Sequence, residues 1–327
     1  MREKQIDVLK AFGIILVIIG HTTSPLNGWI YTFHMPLFFF ISGFLRFGGT
    51  RKSWGKFLLG KAGSSLLPYL LFWFVTSVLF RNLYNIILSG STVFYGWNAL
   101  KGLLLGGHWL AEYSNNFPLG YLQHYFIACI VFELMVRYLR PVLKIAAGIL
   151  LLLATVPLQA AMPVRPVFHI NILPAALVFM LAGYGFRFLL QRKPAVGQLC
   201  GFWPAGFLLM LLGWGISSVH KGNIATIRSY LYFVGALCTI VGLYIISDKL
   251  KSLRVLEYIG QRTLYIMGLH MMMLAGAALL VPRLLPVAAL QNPVQICLAL
   301  LLCCIAADIW MATRRFLSRL VQRSTRP

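Results

Sequence analysis

Residues 6–45, IDVLKAFGIILVIIGHTTSPLNGWIYTFHMPLFFFISGFL, constrain the fold more than any other stretch. Two apolar runs, each long enough to cross or nearly cross a bilayer, are joined by a short polar turn around Thr22–Gly28. Inside hydrocarbon a backbone must satisfy its own polar groups, so runs of this length are helices. Yet they carry Asp7, Lys10, His21, His34 and Ser42. Ionisable side chains at membrane depth are costly and by default mark a functional site.

Spacing sharpens the point. Lys10 and His21 are separated by eleven helical steps, which return to within roughly 20° of the starting face and rise roughly 16 Å. A cation near one surface is therefore aligned with an imidazole far deeper in. Asp7, one turn before Lys10, is placed to pair with it.

The rest of the chain repeats the pattern. Of 327 residues, 59% are hydrophobic and 11% charged, against about a quarter charged in soluble domains. The expected fold is all-α: a polytopic membrane protein forming a single membrane-embedded domain over 1–327. Ten spans are predicted at about 7–24, 29–46, 66–88, 119–139, 143–160, 168–189, 202–220, 228–247, 258–281 and 294–313. Arg2 and Lys4 before the first run resemble a signal peptide. No small-residue cleavage site follows and a second run comes at once, so a retained span is expected.

The basic excess reports topology. With the N-terminus in the cytoplasm, 22 of the 29 Lys and Arg residues fall in inside segments and 6 outside, Lys10 lying within the first span. That asymmetry is the positive-inside signature, and with an even number of spans both termini are expected in the cytoplasm. The net charge of +22 is thus read as a topology signal with contact to anionic membrane lipids, and no nucleic-acid partner is expected. Six scattered cysteines without C-x-x-C or metal spacing read as small core hydrophobes. No metal site is expected. One outer loop, residues 89–118, is long and rich in Gly, Asn and aromatics, including His108, Trp109, Glu112, Tyr113, Asn115 and Asn116. Part of it is expected to be a re-entrant or interfacial helix, and such loops often act as lids.

On this topology His21 and His34 reach similar depths from the two sides of the outer turn. Ser42 and Arg46 share a face toward the inner end of the second span. Near the other end of the chain, LEYIGQRTLYIMGLH (Leu256–His270) climbs from a basic inner loop past Thr263 to a lone histidine, His270. Thr263 and His270, seven apart, nearly eclipse on one face.

Three segments together carry a resemblance. They are the opening I-D-x-L-K followed by the deep His21, then F-H-M-P-L-F-F-F-I-S-G (Phe33–Gly43), and the late I-G-x-x-T-L-x-I-x-x-L-H (Ile259–His270). Their combination resembles acyltransferase family 3, the integral-membrane O-acyltransferases of bacterial surface glycans, over nearly the whole chain. The compact members similar to fucose 4-O-acetylase are the nearest in pattern. The family pattern has Arg where Lys10 stands and commonly Trp where Gly120 stands.

The resemblance implies transfer of an acyl group, usually acetyl, from cytoplasmic acetyl-CoA or another acyl-CoA. The acceptor would be a hydroxyl of a glycan or lipid-linked sugar, in a bacterial cytoplasmic (inner) membrane. The acyl-CoA would be a substrate, and no permanently bound cofactor is expected. The residues suit that chemistry. A sugar hydroxyl is a weak nucleophile and needs a general base, and a histidine in an apolar site is neutral and ready to accept a proton. A thioester carbonyl needs a donor or cation where charge develops. His21 is the expected base, Lys10 the group holding the donor or lining its entry, and His34 a further member of the site. Ser42, His270, Arg46, Arg262, His124 and His169 are the expected substrate-binding residues, with the 46–61 loop and Arg262 at the CoA mouth.

Each candidate has a plainer alternative. His21, His34 and His270 would serve as interhelical hydrogen-bond partners, and Ser42 as a close-packing residue. Lys10 would snorkel to inner headgroups, and His169 with Asn171 would anchor an interface. Glu112 and His108 read better as a solvated loop. Glu133 reads as an i, i+4 ion pair with Arg137, and Asp308 as a buried acid pairing Lys10 or Arg262. A transporter or flippase using buried His and Lys is the functional alternative, and a protein that passes the acyl group across the membrane to a partner enzyme is a third reading. S-x-x-K at Ser53–Lys56, G-Y-G at Gly183–Gly185 and the absence of H-x-x-x-x-D support no other enzyme class.

Overall fold

A computed structural model describes residues 3–89, 96–105, 116–162, 167–220 and 222–324. Among them the chain is helical throughout, with no strand. The principal helices are α1 (Lys4–Gly20), α2 (Asn27–Arg46), α3 (Trp54–Ile87), α4 (Gly120–Tyr138), α5 (Pro141–Ala161), α6 (Leu173–Arg192), α7 (Trp203–Val219), α8 (Leu231–Lys249), α9 (Arg254–Gln261), α10 (Thr263–Leu284) and α11 (Ala288–Ser324).

Seven of the described helices are long and apolar enough to cross a membrane, namely α2, α3, α5, α6, α8, α10 and α11. An eighth is formed if residues 195–201 and α7, bent by 82°, count as one span. The remaining expected spans coincide with α1, of 17 residues, and α4, whose stretch holds Glu133 and Arg137. Several expected boundaries move; the last span, for one, starts at Ala288 instead of 294. The third span starts at Trp54 instead of 66, because the stretch with Lys56 and Lys61 continues the helix at its N-terminal end. It widens into π turns at Ala62–Leu66 and Phe74–Phe80. The ninth starts at Thr263 instead of 258, because the chain breaks at Arg262 and residues 254–261 form a separate short helix.

The α1–α2 hairpin lies at the seam of two packing clusters. Phe33, Leu37 and Phe40 of α2 join Phe179 of α6 and Ala236 of α8 on one side. Ile14 and Ile18 of α1 join Ile266 and Met267 of α10 and Cys303 of α11 on the other. The hairpin turn is tied locally. The Thr22 hydroxyl donates to the Ile19 carbonyl at 2.8 Å, and the Asn27 amide donates to the Thr22 carbonyl at 2.7 Å.

Lipid is as apolar as leucine, so helices associate through close packing and small residues. A Cβ on Gly43 would collide with the Met180 backbone, and one on Gly183 with that of Phe40, so α2 and α6 touch backbone to backbone. α7 and α8 meet likewise at Gly206–Gly242 and Gly213–Gly235. α2 ends at Arg46, and Gly48 takes the left-handed φ of 73° that helix ends favour. α5, with Val142, Ile145 and Leu150 exposed, is the most peripheral of these helices.

Candidate active site

Three histidines from three helix ends or faces converge. His21 closes α1, and its N–H bonds the Ile18 carbonyl at 3.1 Å. Its ring centroid is 5.1 Å from that of His270 on α10. Tyr31 of α2 links His21 to His34, with ring centroids 6.4 Å from the first and 5.4 Å from the second. The three imidazoles lie within electrostatic reach of one another.

Two of the rings are held in register by their own helices. His34 Nδ1 sits 2.7 Å from the Ile30 carbonyl, and His270 Nδ1 sits 2.8 Å from that of Met267. A carbonyl accepts only, so each Nδ1 carries the proton and each Nε2 keeps its lone pair. His270 is fully buried, and its Nε2 is buried without a hydrogen-bond partner. A buried basic nitrogen left open in this way is unusual and calls for a functional account.

His21 lines a vestibule of about 770 Å³ at the end of the bundle that the charge asymmetry assigns to the outside. A second cavity, about 710 Å³, opens at the other end between α3, α10 and α11, walled by Gly60, Ser64, Phe72, Tyr265, Trp310 and Arg314. Phe72 also packs onto Gly268, where a Cβ would overlap its ring, two residues before His270. From the segment just before α4, the Asn116 amide donates to the Gly268 carbonyl at 3.0 Å and to the Thr76 hydroxyl at 3.1 Å.

Matching this chain to family models settles its kinship: the model of an acyltransferase domain aligns with residues 3–311. The chain belongs to acyltransferase family 3. Among curated relatives, nodulation protein NolL of Mesorhizobium japonicum is 41% identical over 86 residues, 22% of this chain. That alignment spans 23% of the relative's own length. No solved structure matches the chain.

In this member of acyltransferase family 3 the opening and closing motif segments touch. A Cβ on Gly260 would strike the Asp7 carbonyl, so I-D and I-G are packed backbone to backbone where α1 crosses α9. Lys10 stays near that crossing, its Nζ 3.3 Å from the Asp7 carboxylate and eleven residues before His21.

The other candidates are distributed along the bundle. Ser42 Oγ is 2.8 Å from the Tyr125 hydroxyl. Arg46 makes a bidentate pair with Glu133 at 2.6 and 3.0 Å, and Arg137 joins the same carboxylate at 2.5 Å, as the i, i+4 spacing predicts. His124 is buried against the edge of Phe39, ring centroids 5.9 Å apart. Arg262 pairs with Asp308, donates to the Tyr258 carbonyl at 2.9 Å and stacks on the Tyr258 ring. Asp308 was expected to be buried, but its side chain is 43% exposed. The Arg262 guanidinium and the Tyr258 hydroxyl both bond it there. His169 lies in the short helix Val167–Ile172 that precedes α6. His108 and Glu112 lie outside the described residues.

Sequence reasoning placed Lys61 only among the basic residues of the 46–61 loop at the CoA mouth and missed its contact with Tyr125. The Lys61 amine is 3.4 Å from the Tyr125 hydroxyl and 5.1 Å from the ring centroid, and no carboxylate among the described residues pairs with it. Lys61 was counted as one more inner-loop charge. Only the start of α3 at Trp54 carries it into the bundle.

Proposed function

We propose that this protein transfers an acyl group, of which acetyl is the simplest, from cytoplasmic acyl-CoA to a hydroxyl of a glycan or lipid-linked sugar. It would do so in a bacterial cytoplasmic membrane, with His21 as general base. The observation that carries this reading is the 5.1 Å pairing of His21 with His270 at the inner wall of the outer vestibule.

In this proposal the donor enters from the inner end. The cavity bearing Arg314 and Ser64 admits the pantetheine arm, and cations of that face, Lys10 among them, meet the CoA phosphates. The acceptor enters from outside. Its hydroxyl attacks the thioester carbonyl while His21 Nε2 or Nδ1 takes the hydroxyl proton. The tetrahedral intermediate collapses, the C–S bond breaks, and the CoA thiolate leaves and takes up that proton. His270 and His34 flank the reacting groups, and the open Nε2 of His270 accepts a hydrogen bond from His21 or from the acceptor. A positioned base of this kind contributes roughly 10²–10⁴-fold in rate.

The test uses purified full-length protein in lipid nanodiscs with acyl-labelled acetyl-CoA and a methyl glycoside. Acceptor-dependent release of free CoA with label on the sugar supports the proposal. Full transfer by His21→Ala, at normal membrane expression, would refute the base assignment. Vesicle uptake of the glycoside without CoA dependence would establish a transporter instead.

A further inference from the structure

The outer vestibule is lined by residues that say what kind of molecule it takes. In a chain carrying 29 Lys and Arg, none of the described residues lining this cavity is Lys, Arg, Asp or Glu. Its polar lining consists of hydroxyls, the His21 imidazole and four amides, Asn27, Gln291, Asn292 and Gln295. Three of those amides have their NH₂ committed to backbone carbonyls. Asn27 donates to Thr22 at 2.7 Å, Gln291 to Leu285 at 3.0 Å and Asn292 to Thr23 at 2.7 Å. A carbonyl accepts only, so the orientation of each amide is fixed and its oxygen is the end left for a ligand. The Asn27 oxygen has no exposed surface, so the committed amides whose oxygens are left to a ligand are Gln291 and Asn292.

A cavity that offers acceptor oxygens and no cation is matched to a ligand rich in O–H donors. It is mismatched to carboxylate, phosphate or sulfate, which would be desolvated there facing oxygen lone pairs. Ala275, Ala278 and Ala288 leave room for a ring, and about 770 Å³ lies within the ~300–1,000 Å³ of small-ligand sites. We infer that the vestibule between the α1–α2 turn, α10 and the start of α11 is an acceptor site selective for a neutral, polyhydroxylated sugar unit. Gln291 and Asn292 supply its hydroxyl-binding oxygens. This rests on the acyl-transfer reading above and narrows its acceptor class.

The experiment compares a methyl hexoside with the corresponding methyl hexuronide on full-length protein in nanodiscs. Binding is read by saturation-transfer NMR, and transfer by label from acetyl-CoA. The hexoside is expected to bind and to be acetylated, with the hexuronide weaker by roughly tenfold or more. Gln295→Lys, which adds a cation to the wall, is expected to raise hexuronide binding by roughly tenfold. Asn292→Leu is expected to raise the hexoside KM and leave the donor KM unchanged. Hexuronide binding equal to that of the hexoside, or no hexoside binding at all, overturns the inference whatever the transfer assay shows. Hexoside binding without acyl transfer leaves the site standing and defeats the catalytic proposal.

Discussion

His21 and His270, which stand near opposite ends of the sequence, place their imidazole centroids 5.1 Å apart at a tilt of 38°. Neither helix alone makes this pair. α1 delivers His21 at its last turn, and α10 delivers a His270 whose Nδ1 is anchored on its own backbone. Groups that act as one unit in catalysis show strongly non-additive losses. His21→Ala and His270→Ala are each expected to lower acetyl transfer by about 10²-fold or more. The double variant is expected to lose little beyond the worse single. Comparing kcat/KM for the three variants at matched protein levels checks this. Multiplying losses would show that the two imidazoles work independently.

Gly260 and Asp7 make a contact that the proposal requires for a different reason. Their backbones meet where the two motif segments cross, and no side chain fits between them. Gly260→Val is expected to push α9 from α1 and destabilise by about 1–3 kcal/mol, as overpacking does elsewhere. It would also disturb the Asp7–Lys10 pair one turn further on. Gly55→Ala, where a Cβ meets nothing within 4 Å, is the control and is expected to leave stability unchanged. Thermal unfolding of the detergent-solubilised variants, followed by size-exclusion chromatography, reads the difference.

The α1–α2 hairpin, its apolar character and the depth of His21 and His34 were legible because they are local properties of one short stretch. Helical period and hydropathy suffice to put those groups on their helices. The resemblance to acyltransferase family 3 brought His270 into the set. What sequence could not supply was contact across the fold. The Asp7–Gly260 crossing, the arrival of Arg46 at a Glu133 carboxylate already paired with Arg137, and the Tyr125 partner of Ser42 each join distant segments. Helix ends were the other weakness. Lys56 and Lys61 argued for a loop, and Arg262 sat inside what looked like one continuous helix, so the start of α3 and the α9–α10 break were both misplaced.

Glu133 is the carboxylate on which two guanidiniums depend. It is nearly fully buried, and Arg46 and Arg137 both bond it. Cutting a buried pair on one side leaves charge without a counterion and costs about 3–5 kcal/mol. Glu133→Gln is therefore expected to lower the melting temperature sharply, since it strands Arg137, whose side chain is also buried. Arg46→Gln removes the more exposed partner and leaves Glu133 still paired with Arg137, so its effect is expected to be smaller. An equal drop for the two substitutions would mean that Arg46, not Arg137, carries the pairing.

Lys61 offers the opposite case. Its amine meets the hydroxyl and ring of Tyr125, inside the Ser42–Tyr125 hydrogen bond, with no acid among the described residues to balance it. Lys61 is only partly buried, so its unbalanced charge costs little, and replacing it with an apolar side chain of similar length is expected to be near neutral. Lys61→Met is thus expected to preserve the melting temperature. An ammonium with no acid beside it among the described residues suits an anionic ligand, and the donor is the anionic substrate in the proposed reaction. The KM for acetyl-CoA is expected to rise roughly tenfold in Lys61→Met, as for loss of one charge-assisted hydrogen bond. The acceptor KM should hold, and Lys61→Arg should restore part of the donor affinity. Steady-state kinetics with each substrate varied in turn separates the two constants. A stable variant with an unchanged donor KM would show that the lysine serves the Tyr125 contact alone.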